Sequence, residues 1–248
     1  GVQFIDLQFT DILGTTKSVT IPTSGLDEAF ERGLWFDGSS IYGFARIQES
    51  DMFLRPDPVT FRILPWTREG TPGLRARLIC DLYDPDGDPF EGDPRYALKR
   101  AMAHAEELGY SYNTGPELEF FLFRNGRGVA EAVPHDVAGY FDFSPNEEAE
   151  QVRSDIVNVL QELKIHVEMS HHEVAIGQHE IDFRYANALH SADNAVTFKY
   201  AVKGVAVNHG LFATFMPKPI FGINGSGMHV HQSLTTLEGE NAFYDANG

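Results

Sequence analysis

One cysteine, Cys80, stands alone among 248 residues, which rules out an internal disulfide and suits a reducing compartment. Leu78, Ile79 and Leu82 surround it in the chain, so it reads as a core thiol and not as a nucleophile. Basic residues are scarce as well. Lys and Arg number 19 against 36 Asp and Glu, a formal net charge of −17; this excludes unaided attraction to nucleic acid or an anionic membrane and favours metal ions or cationic partners. No apolar run reaches the roughly 20 residues that span a bilayer, and the first residues lack the basic-then-apolar order of a signal peptide, so a cytoplasmic location is expected. No GxxxxGK(S/T) loop occurs, so a nucleotide would have to be held by other means. Against these absences stand 42% hydrophobic and 12% aromatic residues, enough for a real core in one large or two smaller domains.

Val2 to Phe9 alternates as a strand, Leu13-Gly14 can turn, and Ser18 to Ile21 reads as the return strand of a hairpin. Ser24 is the expected N-cap of a short helix ending at Gly33, and Trp35 to Ser40 is too rich in small residues for a regular element. Thr60 to Pro65 and Leu74 to Leu82 are further strand candidates, closed by a turn over Pro85 to Pro89. These elements predict a small α+β domain over 1–91 and a second domain over 92–248. In the second, Asp93-Pro94 opens a helix carrying Leu98, Ala101, Met102, Ala105 and Leu108 at helical spacing. Ser144-Pro145 and Ser191 open two more, the last stopping at Gly210, with strand-like segments at 165–172, 179–185, 212–216 and 227–234.

The chemistry gathers on three strands. In the run Gly115 to Phe123, alternation puts Glu117 and Glu119 on one face and Leu118, Phe120 and Leu122 on the other. His171 and Glu173 share a face in the same way; a turn at Ala175 to Gly177 lets Glu180 look into the same space, with Ile181 and Phe183 packed behind. His229, His231 and Ser233 lie on one side of a third strand, Met228 and Val230 on the other. A solvated polar face is the ordinary reading of any one such strand. Three together gather Glu117, Glu119, Glu173, Glu180 and His229, and oxygen ligands with one imidazole suit Mg²⁺ or Mn²⁺ better than zinc. Five ligands suffice for two ions, the usual equipment for moving a phosphoryl group.

Taken together, the motifs resemble glutamine synthetase of the prokaryotic type I class. The matching segments are Phe36-Asp37-Gly38-Ser39-Ser40, Glu49-Ser50-Asp51-Met52, Gly115 to Phe121, Gly139-Tyr140-Phe141-Asp142, His172-Glu173, Gln178-His179-Glu180, Met216 to Pro219 and Asn224 to His229. The resemblance implies a β-grasp-like amino-terminal domain and a glutamine synthetase/guanido kinase-like catalytic domain with a curved, mainly antiparallel sheet. It implies ATP-dependent ligation of ammonia to glutamate through γ-glutamyl phosphate, in a homo-oligomer of two hexameric rings whose active sites are shared between subunits. By position Glu119, Glu173 and Glu180 would hold one metal, and Glu117 and His229 the other. Asn224, Gly225 and Tyr140 match substrate contacts; Glu168, Phe183, Arg184, Tyr185, His231 and Ser233 match ATP contacts. Asp37 matches the base that deprotonates ammonium, although an Asp-Gly-Ser turn cap is the plainer reading of that residue. Arg46 matches an arginine linked to feedback by glutamine, with a surface salt bridge equally open. His171 and His172 are read as a supporting neighbour and a packed residue, neither a ligand.

The family continues well beyond the His229 strand, so the resemblance implies a chain truncated at both ends and inactive as a piece. Two rival readings remain open at this level: a ligase joining glutamate to a polyamine or other amine, and a non-catalytic oligomerising relative.

Overall fold

A computed structural model describes residues 1–41, 43, 50–67, 73–124, 133–143 and 148–245. Arg46 and the Ser144-Pro145 helix start lie outside the described residues. The chain divides into two compact units, Gly1–Gly109 and Tyr110–Gly248.

In the first unit, β1 (Val2–Thr10) and β2 (Thr16–Pro22) form the expected antiparallel hairpin, and β6 (Leu74–Tyr83) lies parallel to β1 on its other side. Between them come α1 (Leu26–Arg32), β3 (Leu34–Asp37), β4 (Asp51–Pro56) and the two-residue β5 (Arg62–Ile63). The order across the sheet is β2-β1-β6-β4-β3, with β5 also on β6. This hairpin, helix and parallel central pair match the β-grasp expectation. Ile5, Leu7 and Phe9 of β1 and Ala76, Leu78, Cys80 and Leu82 of β6 fill the core, and burial pushes the Cys80 thiol up, as a core residue requires.

Three local expectations need correction. Ser24 does not cap α1: it lies in a 3-10 turn, Thr23–Gly25, and Gly25 takes the cap position. Trp35 to Asp37 is strand, because β4 supplies its hydrogen-bonding partner, and only Gly38–Ser40 turns. Of Thr60 to Pro65, only Arg62–Ile63 is strand, since Thr60 ends a 3-10 turn.

The helix α2 (Pro94–Glu107) starts as expected, Asp93 accepting from Arg95 N at 2.9 Å and from Leu82 N at 3.1 Å. Arg95 of α2 pairs with Asp57 at 2.7 Å and Asp81 at 2.6 Å, and Lys99 pairs with Asp81 at 2.5 Å. These ion pairs around the buried Arg95 hold α2 within the compact unit that ends at Gly109; the domain boundary expected near Glu91 precedes that helix.

The second unit is built on the 14-residue β7 (Tyr110–Phe123). The strands β8 (Val167–His172), β9 (Gln178–Phe183), β10 (Ala186–Asn187), β11 (Phe212–Thr214) and β12 (Met228–Thr236) complete an antiparallel sheet. Its path is β10-β7-β9-β8, with β11 and β12 also paired to β7. The helices are α3 (Glu148–Glu162) and α4 (Ala188–Asn208). The latter starts three residues before Ser191, because Asn187 accepts from His190 N and caps it. Ser191 instead bonds the Thr114 carbonyl at 2.6 Å. Phe120 meets Phe198 of α4 edge-on at 6.2 Å between centroids, with Phe183 5.8 Å from Phe198, so the apolar back of the sheet is sealed by that helix. Among the described residues no helix is long and apolar enough to cross a membrane.

Candidate metal centre

Register brings the acids together. On β7, Glu117 stands opposite His229 of β12 on one side and Asp182 of β9 on the other. Glu119 stands opposite Glu180, and Glu180 opposite His171 of β8. Directly opposed residues of antiparallel strands share a face, so all of these project from one side of the sheet. The turn after β8 adds Glu173: single ligand atoms of His171, Glu173 and Glu180 lie within 4.8 Å of one another. All five ligands expected from the sequence thus belong to one face or its bordering turn. His171, read from sequence as a supporting neighbour, stands 3.3 Å from Glu180 and 3.8 Å from Glu173.

Close packing of like charges strains this face. Burial pushes the Glu180 carboxyl up to about 8, aided by Asp182, Glu173 and Glu119. Burial likewise raises Glu119 and Asp182, with Glu173 and Glu117 respectively as the main repelling neighbours. Asp182 Oδ1 is buried without a hydrogen-bond partner. Among the described residues, the basic side chains paired with these acids are imidazoles: His171 as above, and His231 and His229 at 2.7 and 3.6 Å from Glu117. Repelling carboxylates with an orphaned oxygen and no guanidinium or ammonium are the donor set a hard divalent cation satisfies.

Neighbouring residues leave selected oxygens available. Gln178, fully buried, donates to Glu119 Oε2 at 2.8 Å and to the Gly225 carbonyl at 2.9 Å, so it joins the acid face to the 225–227 loop. The other oxygen, Oε1, faces Gly227, where an added Cβ would come within 3.0 Å of it and 3.5 Å of His229 Nε2. Gly225 has no room for a side chain either, since a Cβ would sit 2.2 Å from the Pro217 carbonyl oxygen. Asn224 beside it is exposed. Tyr140 stacks on Phe141 at 4.0 Å and meets the edge of His171 at 5.7 Å, near the acids.

Of the residues matched to ATP, Glu168, Arg184, Tyr185 and His231 are exposed and Ser233 is half-buried. Phe183 is buried, its ring packed on Phe198 and its backbone position paired with Val167 of β8. Asp37 belongs to the first unit. There Oδ1 accepts from Ser39 N at 2.8 Å and Ser39 Oγ at 2.6 Å, and these bonds hold its carboxyl below the usual range. Asp182 and Gln178 were missed as members of the site. For both the signal was present, since Gln178 and Asp182 stand two positions either side of Glu180 on the same strand; the bridge that Gln178 makes from Glu119 to Gly225 joins three distant segments, and no spacing reveals that.

The family profile for the glutamine synthetase catalytic domain matches residues 91–248, and that for the glutamine synthetase beta-Grasp domain matches residues 1–85. Glutamine synthetase from Methanosarcina mazei is 58% identical over 247 residues, covering 98% of this chain and 54% of that protein. The Clostridium saccharobutylicum glutamine synthetase is 57% identical over 250 residues, covering 100% and 55%. Among solved structures, a GmaS/ADP complex aligns with a TM-score of 0.88 at 33% identity, over 99% of this chain and 56% of that one. Plasmodium falciparum glutamine synthetase aligns with a TM-score of 0.89 at 26% identity, over 98% and 53%. The chain spans about half the length of the curated relatives it matches. Profile matches over both units, together with identities above one half, establish that the chain belongs to the glutamine synthetase family.

Proposed function

We propose that the full-length protein joins ammonia to glutamate at the expense of ATP, giving glutamine, ADP and phosphate. The carrying observation is the convergence of Glu117, Glu119, Glu173, Glu180 and His229 around one strongly repelling face. Glu119, Glu173 and Glu180 would hold one Mg²⁺ or Mn²⁺, and Glu117 and His229 the second. When bound, such ions neutralise phosphate oxygens and fix the transferring group in line with its acceptor.

The chain's own residues do the rest. Gln178 occupies one oxygen of Glu119 and turns the other toward Gly227; His231 takes one oxygen of Glu117 and leaves the second beside His229. Asn224 and the backbone of Gly225 would receive glutamate, with Gln178 fixing the Gly225 carbonyl. Glu168, Phe183, Arg184, Tyr185, His231 and Ser233 would line the nucleotide. A γ-carboxylate oxygen of glutamate displaces ADP from the γ-phosphorus, and the resulting acyl phosphate is attacked by ammonia nitrogen with loss of phosphate. Tyr140 would border the ammonium, and Asp37, whose Oδ1 is occupied by Ser39, would accept the proton at Oδ2. Asp37 would come from a neighbouring subunit of a homo-oligomer made of two hexameric rings. Arg46 would serve feedback by glutamine.

Relatives named glutamine synthetase at 53–58% identity favour ammonia over larger amines, and an enzyme over a non-catalytic relative. Glutamine formation by the full-length protein with glutamate, ATP, ammonium and Mn²⁺ tests the reading. Turnover with methylamine or a polyamine but not with ammonium would overturn it.

A further inference from the structure

Behind the acid face, on the opposite side of the sheet, lies a second polar cluster: His135, Asp136, His172, His179 and Arg153. The imidazoles of His135, His172 and His179 have at most 5% of their surface exposed. Ligand atoms of His135, Asp136 and His179 fall within 4.8 Å of one another, which by count alone resembles a metal site. The hydrogen bonds say otherwise. Arg153 Nη1 lies 3.0 Å from His179 Nδ1, and a guanidinium only donates, so Nδ1 accepts and the ring proton sits on Nε2. That proton is directed at His135 Nε2, 2.8 Å away. Two imidazoles on one tetrahedral zinc need about 3.3 Å between their nitrogens, from Zn–N bonds of about 2.0–2.1 Å. With its Nε2 lone pair engaged, His135 cannot donate to Asp136 Oδ2, which stands 3.0 Å away and has no hydrogen bond.

Asp136 instead works through Oδ1. This oxygen accepts from Gly177 N at 2.8 Å and from His172 Nε2 at 3.1 Å. The other nitrogen of His172 donates to the Glu173 carbonyl at 2.6 Å. One carboxylate therefore grips both ends of the 173–178 turn, at the Gly177 amide and, through His172, at the Glu173 carbonyl. Gly177 has φ of 70° and a Cβ there would lie 3.0 Å from the Leu122 carbonyl oxygen, so its amide reaches Asp136 from a conformation only glycine adopts without strain. The same turn carries the Glu173 carboxylate at one end and, at the other, Gln178 with its bond to Glu119.

We propose that Asp136 is a positioning residue for the metal centre, holding the 173–178 turn so that Glu173 and Gln178 present their side chains to the acid face. This rests on the reading of Glu173 as a metal ligand. The test is Mn²⁺ affinity of the full-length protein and its D136A, D136N, H172Q and E173Q variants, with metal-free melting temperature and zinc content measured alongside. D136A is expected to weaken Mn²⁺ binding about 10–100-fold and to raise the KM for Mn²⁺ while kcat at saturating Mn²⁺ is kept. D136N retains an acceptor for Gly177 and falls between D136A and the parent; H172Q resembles D136N. Weakened binding in E173Q but parental affinity in D136A and D136N, whatever their melting temperatures, overturns the proposal. Parental affinity in E173Q itself removes Glu173 from the metal site, and the positioning role goes with it. Stoichiometric zinc in the parent, lost in D136N, overturns it in favour of a structural metal.

Discussion

Replacing Glu180 with glutamine isolates the tension built into the acid face. The Glu180 side chain is 10% exposed, and its carboxyl is raised from an ordinary 4.5 to about 8, by burial first and then by Asp182, Glu173 and Glu119. Between those two values the folded chain keeps a proton that the unfolded chain has released. Stability of the metal-free fold therefore falls as pH rises through the window, by up to about 1.4 kcal/mol per pH unit and a few kcal/mol in all. Glutamine fills the same space without charge, so the share of the decline that Glu180 causes should be lost, leaving the shallower slope set by Glu119 and Asp182. Near pH 8.5 the metal-free E180Q protein is expected to be about 2–4 kcal/mol more stable than the parent, and near pH 4.5 the two should be alike. Saturating Mn²⁺ should reverse the ranking, because the ion binds the ionised carboxylate and stabilises the parent more than the variant. Urea unfolding of both proteins, with chelator and with Mn²⁺, at the two ends of the window is the assay. Equal pH slopes for the two metal-free proteins, or full retention of the Mn²⁺ stabilisation by E180Q, would refute the reasoning.

Gly227→Ala should weaken Mn²⁺ binding at least about tenfold with little change in melting temperature, since its Cβ would intrude beside Glu119 Oε1 and His229; isothermal titration reads it. Gly225→Ala forces the backbone away from the Pro217 carbonyl and should raise the KM for glutamate about tenfold or more in steady-state assays, by more than it weakens Mn²⁺ binding, which it reaches only through Gln178. Arg95→Met should cost about 3 kcal/mol in denaturant unfolding, because Asp57 loses its buried partner while Asp81 keeps only Lys99. Phe198→Ala, which empties the contact between α4 and Phe120 and Phe183, should cost about 3–5 kcal/mol by the same measurement.

Two-residue alternation was enough to find the acid face, because Glu117, Glu119, Glu180 and His229 all sit on regular strands where that period is obeyed. It was equally enough to find Asp182, which was passed over because nothing local distinguishes it from a solvated aspartate; the neighbour that matters, Glu117, comes from another strand. Strand β3 was hidden for the opposite reason. Its Asp-Gly-Ser-Ser ending is ordinary turn chemistry, and Leu34–Asp37 becomes a strand only through pairing with Asp51–Pro56. The start of α4 was misread because Ser191 looks like a cap, yet its hydroxyl is taken by the Thr114 carbonyl across the sheet. The roles of Gln178 and Asp136 depend on contacts between segments far apart, and no single-sequence pattern encodes them.

The long reach from β7 to β12 has a consequence for synthesis on the ribosome. His231 meets Glu117 across 114 positions, so at roughly 5–20 residues per second about ten seconds pass between the emergence of the first and that of the second. During that interval one rim of β7 is exposed to other nascent chains. Glu117 and Glu119 project from the face of β7 beside that rim, and unpaired negative charge on an open strand discourages chains from adding to it. The pair proposed to hold a cation in the folded protein would also shield the half-made chain from aggregation.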